Sequence, residues 1–260
     1  MIKEYLYTNF SLNERTALVT GSARGIGLAI STALGRAGAQ VIINDLNESA
    51  CIESVDKLKA EGIRASYLAF DVSDHESVQQ GRARLEGEGL YVDILVNNAG
   101  NQNRKPMIDM TPQEWQQIMN VHVNGAFNCS QTFLPGMVSK GFGRIVMMSS
   151  VSGHATMPLI AAYSTAKAST ASLARSIAVE YGPKGINANA IAPGFVKTDF
   201  TIGLQQRPGF EDYLLNNVPA GRWALPEDIA PVVLFLVSPG GGFVNGQVLA
   251  IDGGLLARMG

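Results

Sequence analysis

Cysteine and histidine are both scarce in this 260-residue chain, at two and three residues. Cys51 and Cys129 cannot frame a disulfide scaffold, and His75, His122 and His154 stand at no metal-ligand spacing, so no metal is expected in the chemistry. Long apolar runs are also missing. None approaches the roughly 18 residues of a membrane span, and the opening MIKEYLYTNFSLNER has no apolar signal core. The expected setting is a reducing cytoplasm. Charge is sparse and balanced, 20 Lys and Arg against 22 Asp and Glu, which leaves no field to draw nucleic acid or an anionic membrane. Aromatics make up only 7%, whereas glycine reaches 28 residues and hydrophobic residues 46%. Disorder and collagen-like folds are thereby excluded, and an α/β protein with many tight turns is indicated. Its expected partners are small molecules or other protein chains.

Short β-branched runs alternate with longer segments of helical period, with no linker or repeat between them. Strands are predicted at Ala17–Thr20, Val41–Asn44, Ala65–Phe70, Ile94–Val96, Ile145–Met148, Ala188–Ile191 and Val248–Ile251. Each is short and apolar, as a strand covered on both faces should be. Ser73 to Glu76 and Thr111-Pro112-Gln113-Glu114 read as helix starts, and Gly38 and Gly62 as helix stops. Right-handed crossovers then give one doubly wound parallel sheet, with its ligand crevice beyond the carboxyl ends of the strands.

Candidate residues fall at those ends. After the first strand, Gly21, Ser22, Arg24, Gly25, Ile26 and Gly27 lead into a helix over Ile26 to Ala37. Glycines let backbone turn sharply and approach a pyrophosphate, whose charge meets the free amides of the helix start. An ordinary glycine turn is the alternative. Asp45, with Leu46 beside it, closes the second strand, where a carboxylate accepts hydrogen bonds from a ribose diol and repels a 2′-phosphate. This points to NAD over NADP, although Arg24 could pair with such a phosphate. Asp71 and Val72 suit the flank of an adenine, and Asn98, Ala99 and Gly100 the side of the cofactor; either set could also be a plain turn.

Tyr163 and Lys167 stand four apart in a helical segment running to about Tyr181, hence on one face. An ammonium beside a phenol favours phenolate and lowers the tyrosine pKa towards that of a useful acid or base. Ser150 follows the fifth strand on the same edge, either to hold a reacting oxygen or to cap a turn.

Taken together, TGSARGIG, NNAG, Ser150, the Tyr163/Lys167 pair and Pro193-Gly194-Phe195-Val196-Lys197-Thr198 resemble the short-chain dehydrogenase/reductase family over essentially the whole chain. The resemblance implies a single Rossmann-type domain over residues 1–260, with seven parallel strands and helices on both faces. Ser150 would polarise the reacting oxygen and Tyr163 move the proton, while Lys167 binds the nicotinamide ribose. Pro193, Gly194, Val196 and Thr198 would meet the nicotinamide. It also implies a homotetramer or homodimer. The family's catalytic asparagine is replaced by His122, for which a modified proton relay is expected.

Within the family the chain is similar to sugar-acid and polyol members of the gluconate 5-dehydrogenase kind, in Asn101 to Pro106, Pro219 to Trp223 and Phe243 to Gly246. Arg104 and Lys105 could attract a carboxylate, with Ser152 and His154 as further substrate contacts; His154 replaces an acidic residue expected of gluconate enzymes. The expected activity is hydride transfer between NAD and a secondary alcohol or ketone of a sugar, polyol or sugar acid. Alternatives are a reductase of 3-oxoacyl or other carbonyl compounds and a dinucleotide-binding sensor without turnover. A lid is expected over residues 197–223, in which at least two of Phe200, Phe210 and Tyr213 form an apolar face. The tail from Leu255 to Met259 is a candidate subunit contact.

Overall fold

The computed structural model describes residues 1–258. Seven strands form one all-parallel sheet: β1 (Thr16–Val19), β2 (Gln40–Ile43), β3 (Ala65–Tyr67), β4 (Ile94–Asn97), β5 (Gly143–Met148), β6 (Ile186–Pro193) and β7 (Val248–Ile251). Their spatial order is β3-β2-β1-β4-β5-β6-β7, so the direction of winding reverses between β1 and β4. A crevice opens beyond the strand ends at such a reversal.

Among the described residues ten α-helices accompany the strands: α1 (Ile2–Phe10), α2 (Gly25–Arg36), α3 (Glu48–Ala60), α4 (His75–Gly87), α5 (Pro112–Met119), α6 (Gly125–Lys140), α7 (Ala161–Tyr181), α8 (Ile202–Gln205), α9 (Phe210–Asn217) and α10 (Pro226–Val237). The strands divide their side chains between two cores. Ala17, Val19, Val41 and Ile43 pack on one face against Ile30 and Leu34 of α2, Val55 of α3 and Val233 of α10. Leu18, Ile42, Leu95 and Ile145 pack on the other against Val78 of α4, Phe133 of α6 and Ala174 of α7. The period of two thus places apolar residues on both faces, which explains why these strands read as continuous apolar runs.

Several boundaries differ from expectation. β3 stops at Tyr67 instead of Phe70, because the Asn44 side-chain amide donates to the carbonyls of Leu68 and Phe70 at 2.9 and 3.2 Å and draws that segment out of the ladder. α4 is capped by Asp74, whose carboxylate accepts the Glu76 amide hydrogen, while the Ser73 hydroxyl turns back to donate to Asp71. α5 begins with the expected capping box of Thr111 and Glu114. α1 was not expected. It buries no residue, and Ile2, Tyr5, Leu6 and Tyr7 lie exposed. Between α5 and α6 the segment Asn120–Asn124 widens into a π-turn, with His122 buried on its inner side.

Candidate active site

A cleft of about 610 Å³ runs along the carboxyl edge of the sheet. At one end lies the glycine turn, where Gly21 and Gly25 have φ of 60° and 57°. A Cβ on Gly21 would lie 2.8 Å from the Ala99 Cα, and one on Gly27 within 2.7 Å of the Gly21 carbonyl oxygen and the Asn98 amide nitrogen. Only glycine leaves this cradle open, and a pyrophosphate needs such backbone access. Asn98 locks the turn from the neighbouring strand, its amide donating to the carbonyls of Thr20 and Gly21 at 2.8 and 2.9 Å. This is a structural task for the NNAG run, performed by a residue that also lines the cleft.

Arg24, Gly25, Ile26, Asp45, Leu46, Asp71, Val72, Ala99, Gly100, Pro193, Gly194, Val196 and Thr198 also line the cleft. Ser22 does not join them. It is fully buried beneath the turn, where its hydroxyl donates to the Val19 carbonyl at 2.6 Å.

Ser150, Tyr163 and Lys167 gather at the other end. β5 delivers Ser150 and α7 presents the other two on one face. The elements are tied where they meet, since the Ser149 hydroxyl donates to the Lys167 carbonyl at 2.8 Å and the Lys167 ammonium to the Met148 carbonyl at 2.6 Å. Burial pushes the Tyr163 phenol above its ordinary pKa, against the pull of a hydrogen bond with Ser150 and the charge of Arg104. The expectation that Lys167 lowers this pKa is therefore corrected. Its nitrogen stands 5.4 Å from the Tyr163 ring centre, and burial lowers its own pKa to about 7. Desolvation costs the ammonium more than a distant neutral phenol returns.

His122 is 3% exposed and meets the Tyr163 ring edge-on at 5.5 Å. Burial first, then the Lys167 charge, lowers its pKa to about 3, so the imidazole is neutral. Arg104 and Ser152 line the cleft, whereas His154 does not. The short helical turn Val151–Gly153 carries His154 past the opening. Lys105 is neutralised by Glu114, with Nζ 2.9 and 3.0 Å from its two oxygens, and the Arg104 guanidinium has no carboxylate partner among the described residues.

Residues 197–223 leave and rejoin the body at a bridge between Val196 and Ala224. They hold a small core of their own, in which Leu204, Phe210, Leu214 and Val218 pack with Met157, Phe195, Trp223 and Leu255. Phe210 is thus a packing residue, with the exposed Tyr213 ring 5.6 Å from it, while Phe200 faces Tyr163 at 6.2 Å across the cleft. Leu255 of the tail packs into this core of its own chain, and Met259 lies outside the described residues. Phe200, named in the sequence with Phe210 and Tyr213, lines the cleft together with Gln102 of the Asn101 to Pro106 motif, and Met157, Ile160 and Leu204 join them without having been singled out in the sequence. No group of three or more potential metal ligands occurs among the described residues, and no helix there is long and apolar enough to cross a membrane.

Fold and site together define a dinucleotide-dependent oxidoreductase built on a doubly wound sheet. Residues 21–256 match a family model described as enoyl-(acyl carrier protein) reductase, and the chain belongs to the short-chain dehydrogenase/reductase family. It is 38% identical to gluconate 5-dehydrogenase of Gluconobacter oxydans, over 96% of this chain and 98% of that protein. It is 37% identical to 2-dehydro-3-deoxy-D-gluconate 5-dehydrogenase of Bacillus subtilis, over 98% and 99%. A crystal structure of a Burkholderia cenocepacia gluconate 5-dehydrogenase in complex with NADP and tartrate superposes with a TM-score of 0.95 at 36% identity, covering 97% of this chain and 99% of that one. A pyridine nucleotide is accordingly the cofactor class, and CH–OH groups are the class of bond acted on.

Proposed function

We propose that the chain interconverts a secondary alcohol and a ketone on a sugar acid, with NAD as the preferred coenzyme, and accepts related sugars or polyols less well. The observation that carries the substrate class is Arg104: a guanidinium in the cleft, its charge felt at Tyr163, with no carboxylate of its own among the described residues. A planar fork of donors in a partly desolvated site suits a carboxylate well. Likeness to sugar-acid enzymes supports the same reading.

When bound, the nicotinamide ring supplies the hydride acceptor or donor. Gly21, Arg24, Gly25, Gly27 and Asp45 would hold the dinucleotide, with Asp45 favouring a free ribose diol over a 2′-phosphate because like charges repel there. In the oxidative direction Tyr163 acts as the phenolate, which the Arg104 charge favours and the cationic ring of a bound oxidised coenzyme would favour further, and takes the hydroxyl proton of the substrate, while the Ser150 hydroxyl donates to the same substrate oxygen as its negative charge develops. Lys167 would bind the nicotinamide ribose.

The proposed setting is the cytoplasm and the proposed assembly a homotetramer or homodimer, in which a second copy covers exposed apolar side chains such as Phe127 and Val179. Sizing by light scattering checks the latter.

A panel of aldonates, deoxyaldonates, polyols, neutral sugars and 3-oxoacyl thioesters, assayed with NAD and NADP, tests the proposal. Expected are the highest kcat/KM on a carboxylate-bearing sugar and at least a tenfold preference for NAD. A preference for thioesters or for neutral sugars overturns the substrate class, and binding without turnover of any compound overturns the enzyme in favour of a sensor.

A further inference from the structure

The segment that carries Arg104 is held at both ends. At its start, the His122 Nε2 lies 2.7 Å from the Asn101 carbonyl oxygen and 3.2 Å from the Asn101 amide nitrogen. One tautomer donates to the carbonyl and the other accepts from the amide, so the ring is tied to the Asn101 backbone in either state. The ring fits because residue 100 is glycine. A Cβ there would lie 2.5 Å from the His122 Cε1.

At the far end, the Lys105 amide donates to the Leu159 carbonyl at 2.9 Å, and Leu159 is held in the left-handed region at φ 74°. The Lys105 ammonium is meanwhile engaged by Glu114. The five residues Asn101 to Lys105 are thus a short arm pinned at both ends, with Gln102 and Arg104 between the pins. Gln102 further donates to the Phe200 carbonyl of the opposite segment, and its side-chain oxygen accepts from Arg104 Nε at 3.2 Å. Among the described residues no hydrogen bond joins His122 to Lys167, whose ammonium is given to Met148.

We propose that His122 is a positioning residue: through Asn101 it sets the Arg104 guanidinium where the substrate's carboxylate arrives, and it is not a member of a proton relay. This rests on the reading of Arg104 as the carboxylate anchor. A net hydrogen bond of ordinary strength corresponds to a change of about 3- to 10-fold in affinity.

The test compares His122→Phe, which keeps a ring against Tyr163 but has no nitrogen, with His122→Asn, whose amide retains a group able to bond Asn101. Calorimetry reads the Kd of D-gluconate on the coenzyme-saturated protein, and steady-state assays read KM, kcat and the pH profile. H122F is expected to raise the Kd and KM for the anion about 3- to 10-fold, with kcat, the pH profile and coenzyme affinity retained. H122N is expected to stay near the parent. In an Arg104→Gln background H122F should add nothing further.

A fall in kcat with a displaced pH profile and unchanged KM would overturn the proposal in favour of a proton relay. An equal KM increase in both backgrounds would overturn it alone, since the ring then does not act through Arg104. An R104Q variant with parental affinity for gluconate removes the anchor reading and this proposal together. Thermal melts accompany every variant, and H122L carries the same expectation should H122F not fold.

Discussion

Burial raises the Tyr163 pKa, and the Ser150 hydroxyl and then the Arg104 charge pull it back. Position four on a helix puts Lys167 on the same face, but only the folded chain shows the ammonium turned to the Met148 carbonyl and Arg104 brought in from another strand end. Tyr163→Phe removes the proton carrier and leaves the ring packed. Turnover is expected to fall about 10²- to 10⁴-fold while coenzyme affinity, read by fluorescence titration, is preserved. His122 yields a prediction about stability. Its folded pKa of about 3 lies below the ordinary 6.5, so between those values the unfolded chain binds the extra proton. Stability from this residue is therefore complete above pH 6.5 and is lost as pH falls towards 3, on the order of a few kcal/mol in all. Melting temperatures of the parent should drop over that range more steeply than those of H122N; parallel curves would deny the neutral buried imidazole.

At the scale of elements, the turns were more legible than the walls of the cleft. Glycines that admit backbone announce themselves, because no other residue serves. Gly27→Ala would drive a Cβ into the Gly21 carbonyl, so a lower melting temperature and a large loss of coenzyme affinity are expected. Gly136→Ala, in α6 with no atom beyond its own helical turns within 4 Å of the added carbon, should instead raise stability by about 0.5–1 kcal/mol. Denaturant melts of the two variants check both signs. Leu214, fully buried within the segment 197–223, offers a third case. Leu214→Ala should speed proteolysis there and raise substrate KM while the main unfolding transition stays nearly in place, because the small core it shares is separate from those on the sheet.

The signals that failed also have physical reasons. The π-turn at Asn120–Asn124 adds a residue to one helical turn, which leaves no mark on composition or period. Gln102 and Phe200 meet across the cleft although they are 98 positions apart. His154 follows Ser150 closely in sequence, and a single helical turn carries it off the wall. α1 has apolar side chains without a face to bury them, so its sequence promised nothing that packing then supplied.

At the scale of the whole molecule, the sheet was readable because the interior strands carry apolar residues on both faces, a pattern that requires helices on both sides. Right-handed crossovers gave the doubly wound sheet and its crevice, while the strand order came only with the folded chain. The reversal of winding between β1 and β4 has a further consequence for how the enzyme can change. Everything proposed to discriminate one dinucleotide from another, from Gly21 through Asp45 to Val72, comes from the first third of the chain. The groups proposed to choose and convert the alcohol come later. A chimera that takes residues up to Val72 from a relative preferring NADP should therefore inherit that partiality yet keep the parent's taste in substrates, so the two traits are separately heritable.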